Sequence, residues 1–156
     1  MARISQYLAS IILVLSVVSV AIGATFIYQA IEKRAWIEEA MRVEKVTLGI
    51  SEAEVEVGNV VDTAEEAQVA ADIIREHRRG IAPTYQSLLG GGKYDSTKPE
   101  HLSYTQALNM ENYLYMAVLA FGVTTEILGT GVFMIIVGLA FAATGVVLFE
   151  LAKRTQ

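Results

Sequence analysis

Two long apolar stretches with a polar stretch between them dominate the pattern of this chain. The first covers Tyr7–Ala30, and the second covers the 37 residues of Tyr113–Phe149 with few polar interruptions. An α-helix rises about 1.5 Å per residue, so about 20 apolar residues cross the roughly 30 Å hydrocarbon core of a bilayer. The pattern therefore predicts a mostly α-helical, integral membrane protein of the cell membrane.

The first stretch has some features of a cleaved signal peptide, because Arg3 precedes it and small residues lie near Ala21. The apolar region of a signal peptide is only about 7–15 residues long, however. The greater length of Tyr7–Ala30 favours a retained transmembrane anchor helix, assigned to residues 1–30.

The second stretch is too long for one crossing, and its middle contains Gly129, Thr130 and Gly131. Glycine suits the left-handed position after a helix, and threonine suits the N-cap of the next helix. We therefore expect a membrane hairpin over residues 113–151, with spans of about 113–128 and 131–151, followed by a short basic tail at 152–156.

The alternative is two long spanning helices, in which the second stretch forms one helix that crosses the membrane from Ile127 to Phe149. Large apolar side chains cover every side of the part before Ile127. If six of them stayed in water, the cost would be on the order of 10 kcal/mol, at roughly 1.5–3 kcal/mol each. The hairpin avoids this cost. The six side chains are Leu114, Met116, Val118, Leu119, Phe121 and Val123.

Small residues recur every seven positions in both stretches and form what we call the helix-packing seams. Small side chains let transmembrane helices approach closely. The seams either pack the protein's own helices together or form a docking face for other subunits. The first seam contains Ala9, Ser16 and Gly23, and the second contains Gly131, Gly138 and Gly145.

The positions of the basic residues provide a check on the number of spans. Three spans would place Lys33, Arg34, Arg42, Lys45, Lys98, Lys153 and Arg154 on one side and Arg3 alone on the other. That distribution agrees with the positive-inside rule and predicts a cytoplasmic polar domain. Two spans would divide the basic residues almost evenly and would decide nothing.

The polar stretch, residues 31–112, is expected to form a small, mainly helical extramembrane domain. Glu32–Lys45 should continue the anchor helix, and Thr63 with Glu66 forms a capping box that should open a helix through Arg79. A short helix is expected at Pro83–Leu89, and a second capping box at Ser103 and Gln106 should start the helix that enters the membrane. The segment Thr47–Val61, which contains the alternating residues 55–57, could hold an edge strand or form an acidic loop.

Composition excludes several kinds of site. The chain has no cysteine, which excludes disulfides and thiolate chemistry. Its net charge is −5, and the polar domain carries 15 acidic and 9 basic residues without a basic tract, which argues against nucleic acid. His77 and His101 lack the spacing of a helical metal pair. We therefore expect no metal and no cofactor.

Four polar residues near the apolar stretches are the candidates for function. Glu126 is the single acidic residue within the long apolar run, and a carboxylate inside a membrane is a candidate for ion or proton handling, although Glu126 could also mark the interface. Asn109, Glu111 and Asn112 lie where the chain enters the apolar run, either as a boundary or as a polar contact for a partner helix or a quinone-like headgroup.

Three arginines, Arg75, Arg78 and Arg79, cluster at the end of the predicted helix of the polar domain. Cations there suit the helix dipole and could also contact anionic lipid headgroups. No arrangement of these or other polar groups resembles a catalytic site.

The sequence thus predicts a small non-enzymatic membrane protein, and two functions fit it. The first is an accessory or scaffolding subunit of a larger membrane complex, bound to other membrane protein subunits. The alternative is a self-associating homo-oligomer that passes a small ion or solute by means of Glu126.

Overall fold

Four α-helices make up the described part of the molecule. The structure is a computed structural model and describes residues 2–47 and 60–154, with side chains from residue 6 onward. The helices are α1 (Ala2–Glu44), α2 (Ala64–Ile81), α3 (Tyr85–Leu89) and α4 (Pro99–Arg154). The fold is 86% helical, and no β-strand occurs within those two ranges. The mostly α-helical fold class is therefore confirmed.

The predicted continuation of the anchor helix is also confirmed, because α1 runs without interruption to Glu44. Lys45 then adopts a left-handed φ of 49°, and the main-chain N–H of Val61 donates to the carbonyl of Val46 at 2.8 Å. An isolated antiparallel bridge joins Thr47 to Val60. Residues 48–59, the greater part of the segment in which a strand or an acidic loop is expected, lie outside the described residues.

The predicted hairpin in the second apolar stretch is wrong, because α4 is one helix from Pro99 to Arg154. Thr130 does not cap a new helix. Its hydroxyl instead donates to the carbonyl oxygen of Glu126 at 2.8 Å, one turn back in the same helix. Gly131 serves a close contact with α1 rather than a turn, as described below. The two-long-helix alternative is the one that the structure shows, and the spans 113–128 and 131–151 are not separate helices.

The energetic argument for the hairpin failed because it assumed that the start of the apolar stretch has no partner within the chain. Leu114 and Phe121 are in fact 5% and 2% exposed. Leu114 belongs to a core formed with α2, and Val118 packs against that core. Met116 and Leu119 do remain exposed. Intramolecular packing thus removes much of the cost that the sequence argument assigned to one long helix.

The start of α4 also differs from its prediction. Ser103 and Gln106 lie inside the helix, which begins one turn earlier at Pro99. Proline suits the first helical position, because its fixed φ matches the helix and its missing N–H has no intrahelical acceptor there. The main-chain N–H of Leu102 donates to the carbonyl of Lys98 at 3.1 Å and closes this first turn.

The local signals around α2 and α3 are confirmed. Thr63 caps α2, and both hydrogen bonds of the predicted capping box with Glu66 are present. The helix extends one residue past Gly80, to Ile81. A short helix follows at Tyr85–Leu89, with Thr84 as its N-cap and Gly90 in the left-handed region at its end. Glycine is favoured at that end because it has no Cβ to clash at positive φ.

The chain divides into two compact units. The first, which we call the helical pair, comprises Met1–Arg34 and Val123–Gln156. The second, which we call the polar unit, comprises Ala35–Gly122.

Within the helical pair, the two seams lie against each other. A Cβ added to Gly23 would be 2.6 Å from the carbonyl oxygen of Gly131, and one added to Gly131 would be 2.8 Å from the carbonyl oxygen of Gly23. Gly138 meets Ser16 and Val20 in the same way, and Gly145 meets Ala9 and Leu13. Each step of seven residues forward along the first helix matches seven residues backward along the other, so the two helices are antiparallel.

The buried residues of the helical pair follow the same seven-residue repeat. In the first helix these are Ala9, Ser16, Gly23 and Ala30, with Ser19 beside them, and in the second they are Thr124, Gly131, Gly138, Gly145 and Ala152. The hydroxyl of Ser19 donates to the carbonyl oxygen of Met134 at 2.7 Å and provides a polar link across the contact. A strict seven-residue repeat keeps one narrow face of each helix toward its partner.

The outward faces of the helical pair are apolar. Side chains such as Val17, Phe133, Ile136 and Leu139 are at least 60% exposed. Two helices in the described residues are long and apolar enough to cross a membrane, and only 17% and 11% of their most apolar stretches are buried. A core helix of a soluble protein would be mostly buried. These helices instead present large apolar side chains outward.

The polar unit has a small core of its own between α2 and α4. Ala67, Ala70 and Ala71 of α2 pack with Val61 and with Leu114 of α4. The three alanines form an apolar stripe along one face of α2. Because alanine is small, this face allows α2 to lie close to α4, and the polar contacts described below flank the core.

We expect Gly131→Ala to weaken the helical pair, whereas Gly129→Ala should not. The added methyl group at 131 would overlap backbone atoms of α1, and overpacking of this kind costs about 1–3 kcal/mol. At Gly129 no atom lies within 4 Å of an added Cβ, and alanine favours the helix by up to about 1 kcal/mol. Unfolding in mixed micelles, followed by circular dichroism, measures both. Equal stability of the two variants would contradict the close contact.

Candidate functional site

A set of charged and aromatic side chains joins α2 to α4 in the polar unit. We call it the arginine cluster. It consists of Asp72, Arg75 and Arg78 from α2 and of Tyr104, Glu111 and Tyr115 from α4. The α2 members are three residues apart and the α4 members are seven and four apart, so each set lies on one face of its helix.

The ion pair of Arg78 and Glu111 is the buried half of the cluster. Nε of Arg78 donates to Glu111 Oε2 at 2.6 Å and Nη2 donates to Oε1 at 3.3 Å, with side chains only 10% and 8% exposed. The third donor, Nη1, reaches the hydroxyl of Tyr104 at 2.5 Å, and this tyrosine is 1% exposed. The hydrogen bond to Glu111 raises the pKa of Arg78 further above its already high value. The guanidinium is therefore permanently charged.

The second half of the cluster centres on the hydroxyl of Tyr115. It donates to Oδ1 of Asp72 at 2.5 Å and accepts from Nη1 of Arg75 at 2.6 Å. Nη2 of Arg75 forms an ion pair with the same Asp72 oxygen at 2.8 Å, and Gln68 donates to Oδ2 at 3.1 Å. The carboxylate of Asp72 is thus held from three directions.

These contacts shift two ionisation equilibria. The hydrogen bond from Tyr115, followed by that from Gln68, lowers the pKa of Asp72 below its ordinary value of 3.8. Burial, followed by the hydrogen bond to Asp72, raises the pKa of Tyr115 above 10.0. At neutral pH, Asp72 is therefore an anion and Tyr115 a neutral donor, which is the combination that their hydrogen bond requires.

The arrangement is suited to holding two helices together. Each charged group of the arginine cluster is engaged by a group of the opposite charge from the same cluster. A buried charge without its partner is costly, so the cluster specifies one alignment of α2 on α4. This is a positioning role.

The sequence-predicted polar candidates have different surroundings in the structure. Glu111 is buried in the arginine cluster, whereas Asn109 and Asn112 on the same helix are exposed. Glu126 is exposed on α4 and belongs to the helical pair rather than to the polar unit. The structure therefore does not assemble the four candidates into one site.

The expected roles of Arg75 and Arg78 need revision. The sequence suggested helix-end or lipid contacts for these arginines. Arg75 and Arg78 instead bind side chains of α4, and only Arg79, paired at 3.5 Å with Glu76, stays exposed. The sequence does show that Asp72, Arg75 and Arg78 are three residues apart and share one face of α2. It also shows that Tyr104, Glu111 and Tyr115 share one face of α4. Neither spacing, however, indicates that these two faces contact each other.

The two histidines have different surroundings. His77 is exposed on α2. His101 is 4% exposed, and its Nδ1 accepts the main-chain N–H of Asp95 at 3.0 Å while its ring stacks on Tyr94 at 5.7 Å. His101 thereby holds residues 94 and 95, which precede α4, against the first turns of that helix. In residues 2–47 and 60–154, no group of three or more acidic or histidine side chains is placed to hold a metal ion.

The glycine-rich segment before α4 forms a turn. Gly90 and Gly91 have φ values of 55° and 82°, which favour glycine. The main-chain N–H of Gly92 donates to the carbonyl of Leu89 at 2.8 Å and closes the turn.

Comparison with protein-family models, with curated proteins and with solved structures finds no match to this chain.

We expect Arg78→Ala to destabilise the polar unit by about 3–5 kcal/mol, because it leaves the Glu111 carboxylate buried without its partner. The double variant Arg78→Met with Glu111→Leu should recover much of this loss, since it removes both charges together. Arg79→Ala is the matched control, because its ion pair is exposed and worth no more than about 1 kcal/mol. Denaturant unfolding of the three variants provides the comparison. An Arg78→Ala loss no larger than that of Arg79→Ala would show that the ion pair does not hold the unit.

Tyr115→Phe should flatten the dependence of stability on pH at both ends. The depressed pKa of Asp72 contributes stability above 3.8 that is lost as pH falls through the folded value. The raised pKa of Tyr115 contributes stability below 10.0 that is lost as pH rises through the folded value. Unfolding free energies measured across both ranges test this. Tyr113→Phe is the control, because Tyr113 is 73% exposed, and a profile equally changed in that variant would contradict the assignment.

Proposed function

We propose that this chain is a non-enzymatic integral membrane protein that serves as an accessory or scaffolding subunit of a larger membrane complex. The observation that carries the proposal is the distribution of side-chain size in the helical pair. Small residues form the contact between the two helices, and large apolar side chains face outward. Those outward faces require either lipid or other membrane proteins around them.

The polar unit supports the same proposal. Side chains including Trp36, Val43 and Leu119 are more than 65% exposed. At roughly 1.5–3 kcal/mol for each large apolar side chain, their exposure to water would be costly. Exposed apolar surface of this kind is typical of a contact with a protein partner or a membrane.

The arginine cluster argues for a structural rather than a catalytic role. Its charged groups stabilise the packing of α2 on α4 and are already paired. The chemistry of the cluster is therefore used within the fold. A scaffold needs a rigid frame of this kind together with exposed apolar surfaces such as those described above.

In the proposed arrangement each long helix crosses the cell membrane once, over about residues 7–30 and 127–149. Both ends of the chain then lie on one side and the polar unit lies on the other. The polar unit is proposed to face the cytoplasm. With two crossings, the basic residues near the membrane on the side of the polar unit are Lys33, Arg34, Arg42 and Lys45, and those on the other side are Arg3, Lys153 and Arg154. The positive-inside rule favours the side with the excess, which is that of the polar unit.

We expect single cysteines at Gly92 and Arg154 to be labelled from opposite sides of the membrane. The chain has no cysteine, so each variant reports one position, and the unmodified protein is the control. A membrane-impermeant thiol reagent should label Gly92→Cys only in inverted vesicles if the polar unit is cytoplasmic. Labelling of both positions from one side would contradict the two-crossing arrangement.

We expect the protein, extracted from its own membrane in mild detergent, to carry other polypeptides in a fixed ratio. Native mass and composition measure this, and the ratio should survive exchange into a second detergent. Recovery of the chain alone as a monomer would overturn the subunit proposal.

Recovery as a ring of identical chains would favour the alternative, transport of a small ion or solute. The exposed position of Glu126 on α4 is the observation that would then matter, because an oligomer could place these carboxylates together. Flux in liposomes should in that case be lost in Glu126→Gln and kept in Glu150→Gln, an exposed carboxylate near the end of the same helix.

A further inference from the structure

An apolar groove lies in the polar unit between the last part of α1 and α4. It has a volume of 320 Å³, and its lining includes Trp36, Ile37, Ala40, Met41, Met116 and Ala117. Almost all of its surface is carbon. Volumes of this size are typical of sites for small molecules, which span about 300–1,000 Å³.

A second cavity of 780 Å³ adjoins this groove and is more polar. The two share Glu44, Val46, Tyr113 and Leu114, and the second adds the amides of Gln106 and Asn109. A molecule that occupied both would meet an apolar environment at one end and hydrogen-bonding groups at the other. The combined site is therefore amphipathic.

The charge of the lining selects among amphipathic ligands. Among the described residues, Glu44 is the single charged side chain that lines either cavity. A carboxylate favours an ammonium group and opposes a headgroup with a net negative charge. The amides of Gln106 and Asn109 can accept or donate hydrogen bonds beside it.

The composition of the groove suits an acyl chain as its occupant. Its lining side chains are almost all apolar, and its volume of 320 Å³ is within the range of sites for small molecules. A hydrocarbon chain is thin and has no polar group that such a lining would leave without a partner.

Trp36 connects the groove to the proposed membrane crossing. It follows the first crossing by six residues, which is about 9 Å of helix. Tryptophan is enriched at the level of lipid headgroups. In the proposed arrangement, the end of the groove at Trp36 is therefore close to bilayer lipid.

We propose that the groove binds one membrane phospholipid with an amine-bearing headgroup. An acyl chain lies beside Trp36 and Met116, and the ammonium group lies beside Glu44 near the amides of Gln106 and Asn109. This inference rests on the proposed membrane insertion and goes beyond it, since it assigns a specific lipid site.

Trp36 is the only tryptophan of the chain, so its fluorescence reports on the groove. The full-length protein is reconstituted in phosphatidylglycerol vesicles that contain a small fraction of lipid with brominated acyl chains, which quench tryptophan on contact. Brominated phosphatidylethanolamine should quench Trp36 about threefold more than brominated phosphatidylglycerol at the same mole fraction, the scale of an exposed ion pair.

Variants separate the headgroup from the acyl chain. Glu44→Gln should abolish the difference between the two lipids. Ala40→Leu and Ala120→Leu, both in the groove lining, should reduce the quenching by both lipids because the added carbon atoms occupy the groove. Ala143→Leu is the matched control, since Ala143 is exposed on α4 outside the groove, and it should behave like the unmodified protein.

Flotation of the vesicles distinguishes failure of this proposal from failure of membrane insertion. Protein that does not float with the vesicles would overturn both. Protein that floats but shows equal quenching by the two lipids, unchanged in Ala40→Leu and Ala120→Leu, would overturn the lipid site alone. Trp36 emission that depends on the protein-to-lipid ratio without any lipid preference would assign the groove to a second copy of the chain and would also overturn it.

Discussion

Direct backbone contact between two antiparallel helices is the constraint on which the helical pair depends. Where Gly23 meets Gly131, a single methyl group on either residue would overlap the partner's backbone. Such contact is how helices associate where lipid removes the hydrophobic driving force between them. It also explains the glycines within α4, which serve close approach and leave the helix unbroken.

The polar unit is stabilised differently, by a small apolar core together with buried polar contacts. Its apolar core is small and largely made of alanine, so hydrophobic burial alone provides limited stabilisation. The bidentate pair of Arg78 and Glu111 and the Asp72–Tyr115 hydrogen bond supply direction as well as attraction. Buried charges are costly unless paired, which makes one register of α2 on α4 preferable to its neighbours.

Each unit has a different kind of surface that is available for binding. The helical pair exposes large apolar side chains around its circumference, and the polar unit contains an amphipathic groove beside exposed aromatic residues. Both features are typical of a protein surrounded by lipid and other membrane proteins. The polar groups of the arginine cluster hold α2 on α4, and this structural use of buried charge agrees with the scaffold that we propose.

The sequence by itself determined the helical class, the two apolar helices, the capping box at Thr63 and Glu66 and the seven-residue repeat of small residues. These depend on local periodicity and on backbone chemistry within a few residues. Only the tertiary structure decided that Gly129–Gly131 does not break α4, because a glycine for a turn and a glycine for close approach look the same along the chain. The partners of Arg78, Glu111 and Tyr115 were likewise undetermined, since residues more than 30 positions apart meet only after α2 packs on α4.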